Sequence, residues 1–347
     1  MKALVKYAQG KDNMEIRDVP VPTIEADEVL IKVKYTGICG SDLKILADEH
    51  PYYPPVITGH EFSGEIVEVG KAVEGWKEGD RVVSELHTKK CGVCSLCRTG
   101  EWYVCKSKRA PGWGIDGAFA EYVKMPAWLL HRIPDNVSFK EAAVTEPVAV
   151  AVNAVLERTK VEPGDFVAVL GCGPLGLIAA QLAKAVGASA SLITGTEKDE
   201  GARLPAARKL GIDHVVNVQR QDPVALVREL TNGTGADLVV DFAGAQPALL
   251  QGFEMVRIHG RFCAVGVPPT DMVEVPWKAL IYKGVDVVFN FSSKYTSWKR
   301  ALQMMATGRL DVNPLITHVL PLEDWHEGFE LAKRGEAIKV LLTPEKL

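Results

Sequence analysis

Three donor types for one ion stand close together in this chain: the thiol of Cys39, the imidazole of His60 and the carboxylate of Glu61. Zinc takes thiolate, imidazole and carboxylate in a tetrahedron, and a catalytic zinc keeps one position open for water or substrate. Gly59-His60-Glu61 follows the turn Pro54-Pro55 and opens a strand-like run over residues 62–69. Neighbours on a strand point to opposite faces. His60 and Glu61 therefore converge on one ion only where the backbone bends, and Gly59 and Gly64 permit a bend. The alternative is a polar strand start, with Cys39 as a small buried residue.

Cys91, Cys94 and Cys97 step by three residues, and Cys105 follows eight later. At that spacing one loop wraps an ion with four thiolates and leaves no open position, which describes a structural zinc. A redox or unfilled cysteine cluster is the competing reading. A third group, Gly171-Cys172-Gly173-Pro174-Leu175-Gly176, lies between an apolar strand and a helix. The first glycine permits a tight turn, the second lets backbone approach a pyrophosphate, and the third lets helix and strand pack closely. The helix N-terminus then offers free N–H groups and a favourable dipole to phosphates.

The next strand of a dinucleotide site normally ends at an acidic residue that binds the ribose of NAD. Here that position is Gly195, followed by Thr196, Lys198 and Arg203, which can hold a 2′-phosphate. This favours NADP over NAD, although Glu197 and Asp199 in the same loop can also reach a ribose.

The elements that position these groups fall into two patterns. Up to about residue 136, short β-type runs (29–35, 65–69, 81–84, 118–123) alternate with turn signals, as in an irregular antiparallel barrel. Ser138 and Glu141 have the form of a capping box, and residues 142–156 should follow as one helix. From Asp165 onward apolar strands alternate with helical stretches, the mark of a parallel sheet covered on both faces. An α/β protein is expected, with a β-rich catalytic domain over residues 1–150 carrying a metal lobe at about 85–110. A doubly wound Rossmann domain over 151–290 follows, and residues 291–347 return to the first domain.

Of the residues, 47% are hydrophobic and 24% charged, a balance that suits a globular protein with two cores. The net charge of −4 and the lack of a basic stripe with interleaved aromatics argue against a nucleic-acid surface. No apolar run is long enough to span a bilayer, and the first residues do not read as a secretion signal, so a cytoplasmic protein is expected. Clustered, uneven cysteines in such a chain read as metal ligands rather than disulfides.

Gly37-Ile38-Cys39-Gly40-Ser41-Asp42, Gly59-His60-Glu61-Phe62-Ser63-Gly64, Gly79-Asp80-Arg81-Val82, the four-cysteine lobe, residues 117–122, Glu146-Pro147 and the glycine turn occur in this order across nearly the whole chain. Together they resemble the zinc-containing medium-chain dehydrogenases and reductases, the alcohol and polyol dehydrogenase superfamily. The resemblance implies a GroES-like catalytic domain joined to a Rossmann domain, with the active site in the cleft between them, and a homodimer or homotetramer.

It also implies that Cys39, His60 and a glutamate, either Glu61 or Glu146, hold a catalytic zinc, with Asp42 orienting His60. Hydride would pass from a small secondary alcohol (a polyol, diol or sugar alcohol) to NAD(P), or back to the ketone, while Ser41 relays the proton. Threonine or another amino alcohol is the alternative substrate, and a non-catalytic coenzyme-binding protein is the remote one. Val265, Val267 and Asn290 are expected beside the coenzyme, with Asn290 suited to hydroxyl recognition. Many relatives carry a histidine where this chain has Lys44; a lysine passes a proton only with a depressed pKa, or pairs instead with a phosphate of the coenzyme or substrate, which leaves the proton exit open. Tyr52, Tyr53, Trp113 and Lys294 are candidate pocket walls. His50, His87, His131 and His214 have no ligand-like spacing and are assigned no role, and Cys172 and Cys263 read as core residues.

Overall fold

The computed structural model describes residues 1–345. The chain divides into two compact units: Met1–Glu146, Lys294–Ala306 and Ile316–Leu347 form one, and Pro147–Ser293 with Thr307–Leu315 the other. Residues 307–315 thus join the second unit instead of returning to the first. Leu310, Val312 and Leu315 are buried, and the Asp311 N–H donates to the Gln181 side chain at 3.2 Å.

The first unit is β-rich. Lys2–Lys6 pairs antiparallel with Met14–Asp18 and Val56–Ile57 in a small sheet. The larger sheet has the order Ile316–Pro321, Lys339–Thr343, Glu28–Gly37, Glu61–Val69, Arg81–Ser84, Leu130–Arg132, with Tyr122–Pro126 also pairing with Glu28–Gly37. The strand expected at 118–123 is therefore displaced to Tyr122–Pro126; residues 117–119 instead hydrogen-bond to 57–59 through the backbone. Central strand Glu28–Gly37 matters most. Gly37 pairs with Glu61 on one side and with Leu341 on the other, so three distant segments meet at its end. Val29, Ile31, Val33, Phe62, Ile66 and Val82 close the core beneath it.

The helix expected over 142–156 is broken. Phe139–Ala142 is a single turn capped by Ser138 and Glu141, Thr145–Val152 is α-helical, and Asn153–Arg158 widens to a π-helix. The widening accompanies bonds from the Asn153 amide to Asn290 Oδ1 and to the Ser292 carbonyl, both 2.9 Å.

The second unit carries a six-stranded parallel sheet in the order His214–Asn217, Ala190–Gly195, Phe166–Leu170, Ala236–Asp241, Val256–Ala264, Asp286–Phe289. Strand order reverses beside Phe166–Leu170, the point at which ligands bind in open α/β sheets. Its core packs Phe166, Ala168, Leu170, Leu192, Val239 and Phe262. Among the described residues, no helix is long and apolar enough to cross a membrane.

Candidate active site

Gly59 has φ +87°, a conformation open to glycine, and a Cβ there would strike Phe119 at 2.6 Å. The chain bends at this point, so His60 precedes the strand and Glu61 begins it. Gly37 makes the second allowance: a Cβ on it would lie 2.3 Å from Glu61 Oε2, the space that the carboxylate fills. Donor atoms of Cys39, His60 and Glu61 all lie within 4.8 Å of one another.

Around them the groups are buried and mostly negative. Asp42, fully buried, accepts the Cys39 N–H through Oδ2 at 2.8 Å, and its Oδ1 faces His60 Nδ1 at 3.6 Å. Ser41 Oγ is 3.4 Å from His60 Nε2. His60 Nδ1 and Asp42 Oδ1 have no hydrogen-bond partner. Burial alone would keep His60 neutral, but Asp42 and Cys39 raise its proton affinity well above normal. Glu146, in the first turn of Thr145–Val152, is pushed up to about 7 by burial and by the Glu61 charge.

A buried lysine answers one of these groups. Lys339, 3% exposed, donates to Glu61 Oε1 at 2.9 Å, Glu61 Oε2 at 2.6 Å and the Ile38 carbonyl at 3.0 Å. All three of its N–H bonds are thus spent. Burial disfavours its charge, yet Glu61, Cys39 and Glu146 raise its pKa. Glu61, Glu146 and Cys39 act on the Lys339 ammonium and Asp42 and Cys39 act on His60, an acidic set that a divalent cation can join once His60 gives up its proton. The donor set and the orphaned His60 and Asp42 atoms fit zinc. Sequence reasoning missed Lys339, since only the pairing of Leu341 with Gly37 brings it here.

Trp113 alone of the four candidate wall residues has its ring against a metal-site histidine: it meets His60 edge-on at 5.1 Å and His50 at 5.2 Å. Tyr52 turns to Asp48, Tyr53 is exposed, and Lys294 lies at the start of Tyr295–Ala306. His50, assigned no role above, therefore borders the site. Lys44 is half-buried.

In the lobe, Sγ separations are 3.7 Å (Cys91–Cys105), 3.8 Å (Cys91–Cys97) and 4.0 Å (Cys94–Cys105). A tetrahedron of Zn–S bonds near 2.3 Å has edges of about 3.8 Å. Backbone N–H groups of Cys91 and Ser107 pull the Cys105 thiol down to about 6, whereas burial pushes Cys97 up to about 12. A bound cation lets all four ionise.

In the second unit, Gly171 has φ +94° and its N–H bonds to Thr194 O at 3.1 Å. Gly173 caps Pro174–Ala185 with Pro174 in the first turn, which leaves the next N–H groups, including that of Leu175, open at the helix start. A Cβ on Gly176 would lie 1.9 Å from Gly171 O, so this glycine sets the close packing of helix on turn. Gly195 ends its strand; Asp199 accepts from Thr196 N, Thr196 Oγ1 and Arg203 Nη1 at 2.8, 2.9 and 3.1 Å. Arg203 is thus not a free cation. Glu197 is held by Arg220 and Asn217, while Lys198 is exposed.

Val265 donates to Asp241 O at 2.9 Å and Val267 is exposed. Asn290 is buried, its oxygen tied to Asn153. Asp241 is a further residue that the sequence reading passed over: buried, with its carboxyl raised to about 6 by burial, it accepts from Ala243 N at 3.0 Å and Gly244 N at 3.1 Å. Cys172 and Cys263 are buried, as core residues should be.

The model of the alcohol dehydrogenase GroES-like domain matches residues 25–135, and that of the zinc-binding dehydrogenase domain matches 174–307. The chain is 41% identical to a sorbitol dehydrogenase of Halalkalibacterium halodurans over 99% of both chains. It is 37% identical to a D-arabitol-phosphate dehydrogenase of Enterococcus avium (100% and 99% covered) and 39% identical to an L-threonine 3-dehydrogenase of Bacillus licheniformis (99% of each). Among solved structures, alcohol dehydrogenase TADH from Thermus sp. ATN1 superposes with a TM-score of 0.90 at 33% identity, covering 99% of each chain. A Sinorhizobium meliloti zinc-binding dehydrogenase bound to NADP does so at 0.89 and 28%, again over 99% of each. With these matches along its whole length, the chain belongs to the zinc-containing medium-chain dehydrogenase/reductase superfamily and is a zinc- and NAD(P)-dependent oxidoreductase acting on CH–OH donors.

Proposed function

We propose that the enzyme oxidises the secondary alcohol of a small polyol, diol or sugar alcohol, or reduces the matching ketone, at the Cys39–His60–Glu61 cluster. The observation that carries this is the convergence of a thiol, an imidazole and a carboxylate whose donor atoms lie within 4.8 Å of one another. Zinc held by these donors would supply positive charge that eases proton loss from an alcohol hydroxyl, and a bound nicotinamide would supply the hydride acceptor. The rest is done by the chain. Asp42 holds His60 with Nδ1 toward itself and Nε2 toward Ser41, and Ser41 Oγ takes the hydroxyl proton outward.

Lys339 restrains Glu61, which leaves Glu146 as the carboxylate free to enter or leave the donor set. Cys91, Cys94, Cys97 and Cys105 hold the second zinc. Metal analysis should find two zinc ions per chain, falling to one in Cys39→Ser with loss of turnover; two ions and full activity in that variant would refute the assignment. Amino alcohols are the second reading, supported by the threonine dehydrogenase relative. Turnover of L-threonine and not of polyols would select it.

NADP is the proposed coenzyme. Gly195 offers no carboxylate to a ribose, and both nearby acids, Glu197 and Asp199, are already paired with the chain's own donors. Lys198 and Thr196 remain at the surface to meet a 2′-phosphate. A higher kcat/KM with NAD than with NADP would overturn this.

We assign the expected self-association to the strand Asp286–Phe289, an open edge of its sheet with Val287 and Phe289 exposed. Phe289→Lys should lower the mass measured by light scattering to that of a monomer. An unchanged mass would move the interface elsewhere.

A further inference from the structure

Ser41 and Lys44 stand three residues apart on the helix Gly40–Leu46 and so share one face. Ser41 faces His60 at 3.4 Å, so Lys44 lies about one helical turn, roughly 5 Å, farther out on the same side. His50 approaches the same rim from the following loop. Its ring packs on Trp113, which packs in turn on His60. Its Nδ1 is 2.8 Å from the Pro51 carbonyl, which makes Nδ1 the protonated nitrogen and leaves Nε2 available.

The rim carries positive charge without an answering acid. Lys44 has no carboxylate within ion-pair distance among the described residues. Asp42 is buried and committed to Cys39 N–H and His60, and Asp48 is turned to the Tyr52 hydroxyl and the Gly10 N–H. Glu49, exposed, has only its backbone N–H bonded to Lys44 O. Burial holds the His50 pKa below its usual value, with the Lys44 charge acting in the same direction. A neutral polyol has no use for such a rim, whereas a dianionic ester supplies what it lacks: acceptors for the ammonium and a counter-charge that lets His50 carry a second proton and donate it.

We infer that Lys44 and His50 form a subsite for a phosphate group on the substrate, so that the enzyme's preferred alcohol is a phosphorylated polyol. This rests on the dehydrogenase reading above and adds the substrate class. One turn of helix between Ser41 and Lys44 matches a short carbon chain between the reacting hydroxyl and the ester.

The test is calorimetric titration of the zinc-loaded, coenzyme-bound enzyme with D-sorbitol 6-phosphate and with D-sorbitol, alongside kcat/KM for the same pair. The ester should bind at least about tenfold more tightly. Lys44→Met and His50→Gln should each shrink the ester-to-polyol ratio by about threefold or more, and Lys44→Arg should keep it. Equal or weaker binding of the ester overturns the inference. So does a Lys44→Met variant that weakens coenzyme binding and leaves the ratio untouched, since Lys44 would then serve a coenzyme phosphate. Ester preference without oxidation of either compound would keep the subsite and sink the polyol reading of the substrate, and oxidation of sorbitol without ester preference would do the reverse.

Discussion

The two clusters of this chain that could hold a metal ion are built in opposite ways. The lobe draws four like donors from residues 91–105, sits near the surface and has few buried apolar neighbours of its own; Cys91 is exposed. The buried cluster draws unlike donors from Cys39, His60 and Glu61, with the Glu146 carboxyl electrostatically coupled to it, and a lysine 278 residues away in sequence restrains Glu61. A cluster held by strands and a packed core should survive loss of its ion and lose only chemistry. One held by a loop should lose its shape. Zinc is therefore expected to serve reactivity at the first and folding at the second.

The largest effect should come from the buried donors. Cys39→Ser or His60→Ala is expected to lower kcat/KM by at least about a thousandfold, because the positive charge that stabilises the reacting oxygen is lost with the ion. The thermal midpoint should stay close to that of the parent and one zinc per chain should remain. A large drop in the midpoint would erase the contrast between the two clusters.

Lys339 tests whether the buried cluster is in fact pre-built. In Lys339→Met the Glu61 carboxylate stays 1% exposed with no cation beside it, at a cost of about 3–5 kcal/mol in urea unfolding. Bound zinc should offset part of that cost, so the deficit should widen after chelation. Lys339→Met combined with Glu61→Gln should be more stable than Lys339→Met alone. If the lysine variant unfolds like the parent, the ion pair is not what holds Glu61.

Cys94→Ser should act on the lobe instead. Loss of one zinc and a fall of about 5–10 °C in the thermal midpoint are expected, with much of kcat kept at low temperature. Unchanged stability and zinc content would mean that the four thiols are not a metal site.

The same contrast explains what could be read from the sequence. The lobe was legible because its cysteines are local, and the glycine turn because Gly171 takes a positive φ and Gly176 packs against Gly171 O. Parallel strands announced themselves through apolar runs broken by helices. Lys339 was not legible: a lysine in an apolar run reads as an edge or surface residue until the Gly37–Leu341 pairing carries it inside. His50 was missed for the same reason, since its link to His60 passes through Trp113, far along the chain. The change from Thr145–Val152 to Asn153–Arg158 was hidden because the Asn153–Asn290 bond that accompanies it spans 137 positions.

His87 gives the smallest and most selective probe of the lobe. It precedes Thr88, whose N–H and C=O pair with Arg109 to close the base of the lobe, and its ring lies 6.3 Å from that of Tyr103. Burial pushes its pKa down to about 3, helped by the nearby Lys108, itself lowered to about 8 by burial. An unfolded histidine titrates near 6.5, so below that pH the unfolded chain binds a proton that the folded chain refuses. Stability from this residue is complete above about 6.5 and falls as pH drops toward 3, by about 1.4 kcal/mol per pH unit. Urea midpoints at pH 7.0, 6.0 and 5.5 (set values, chosen from about the unfolded pKa downward) should therefore decline more steeply in the parent than in His87→Gln, at equal zinc content. Parallel declines in the two proteins would show that acid acts on the lobe through its thiolates alone.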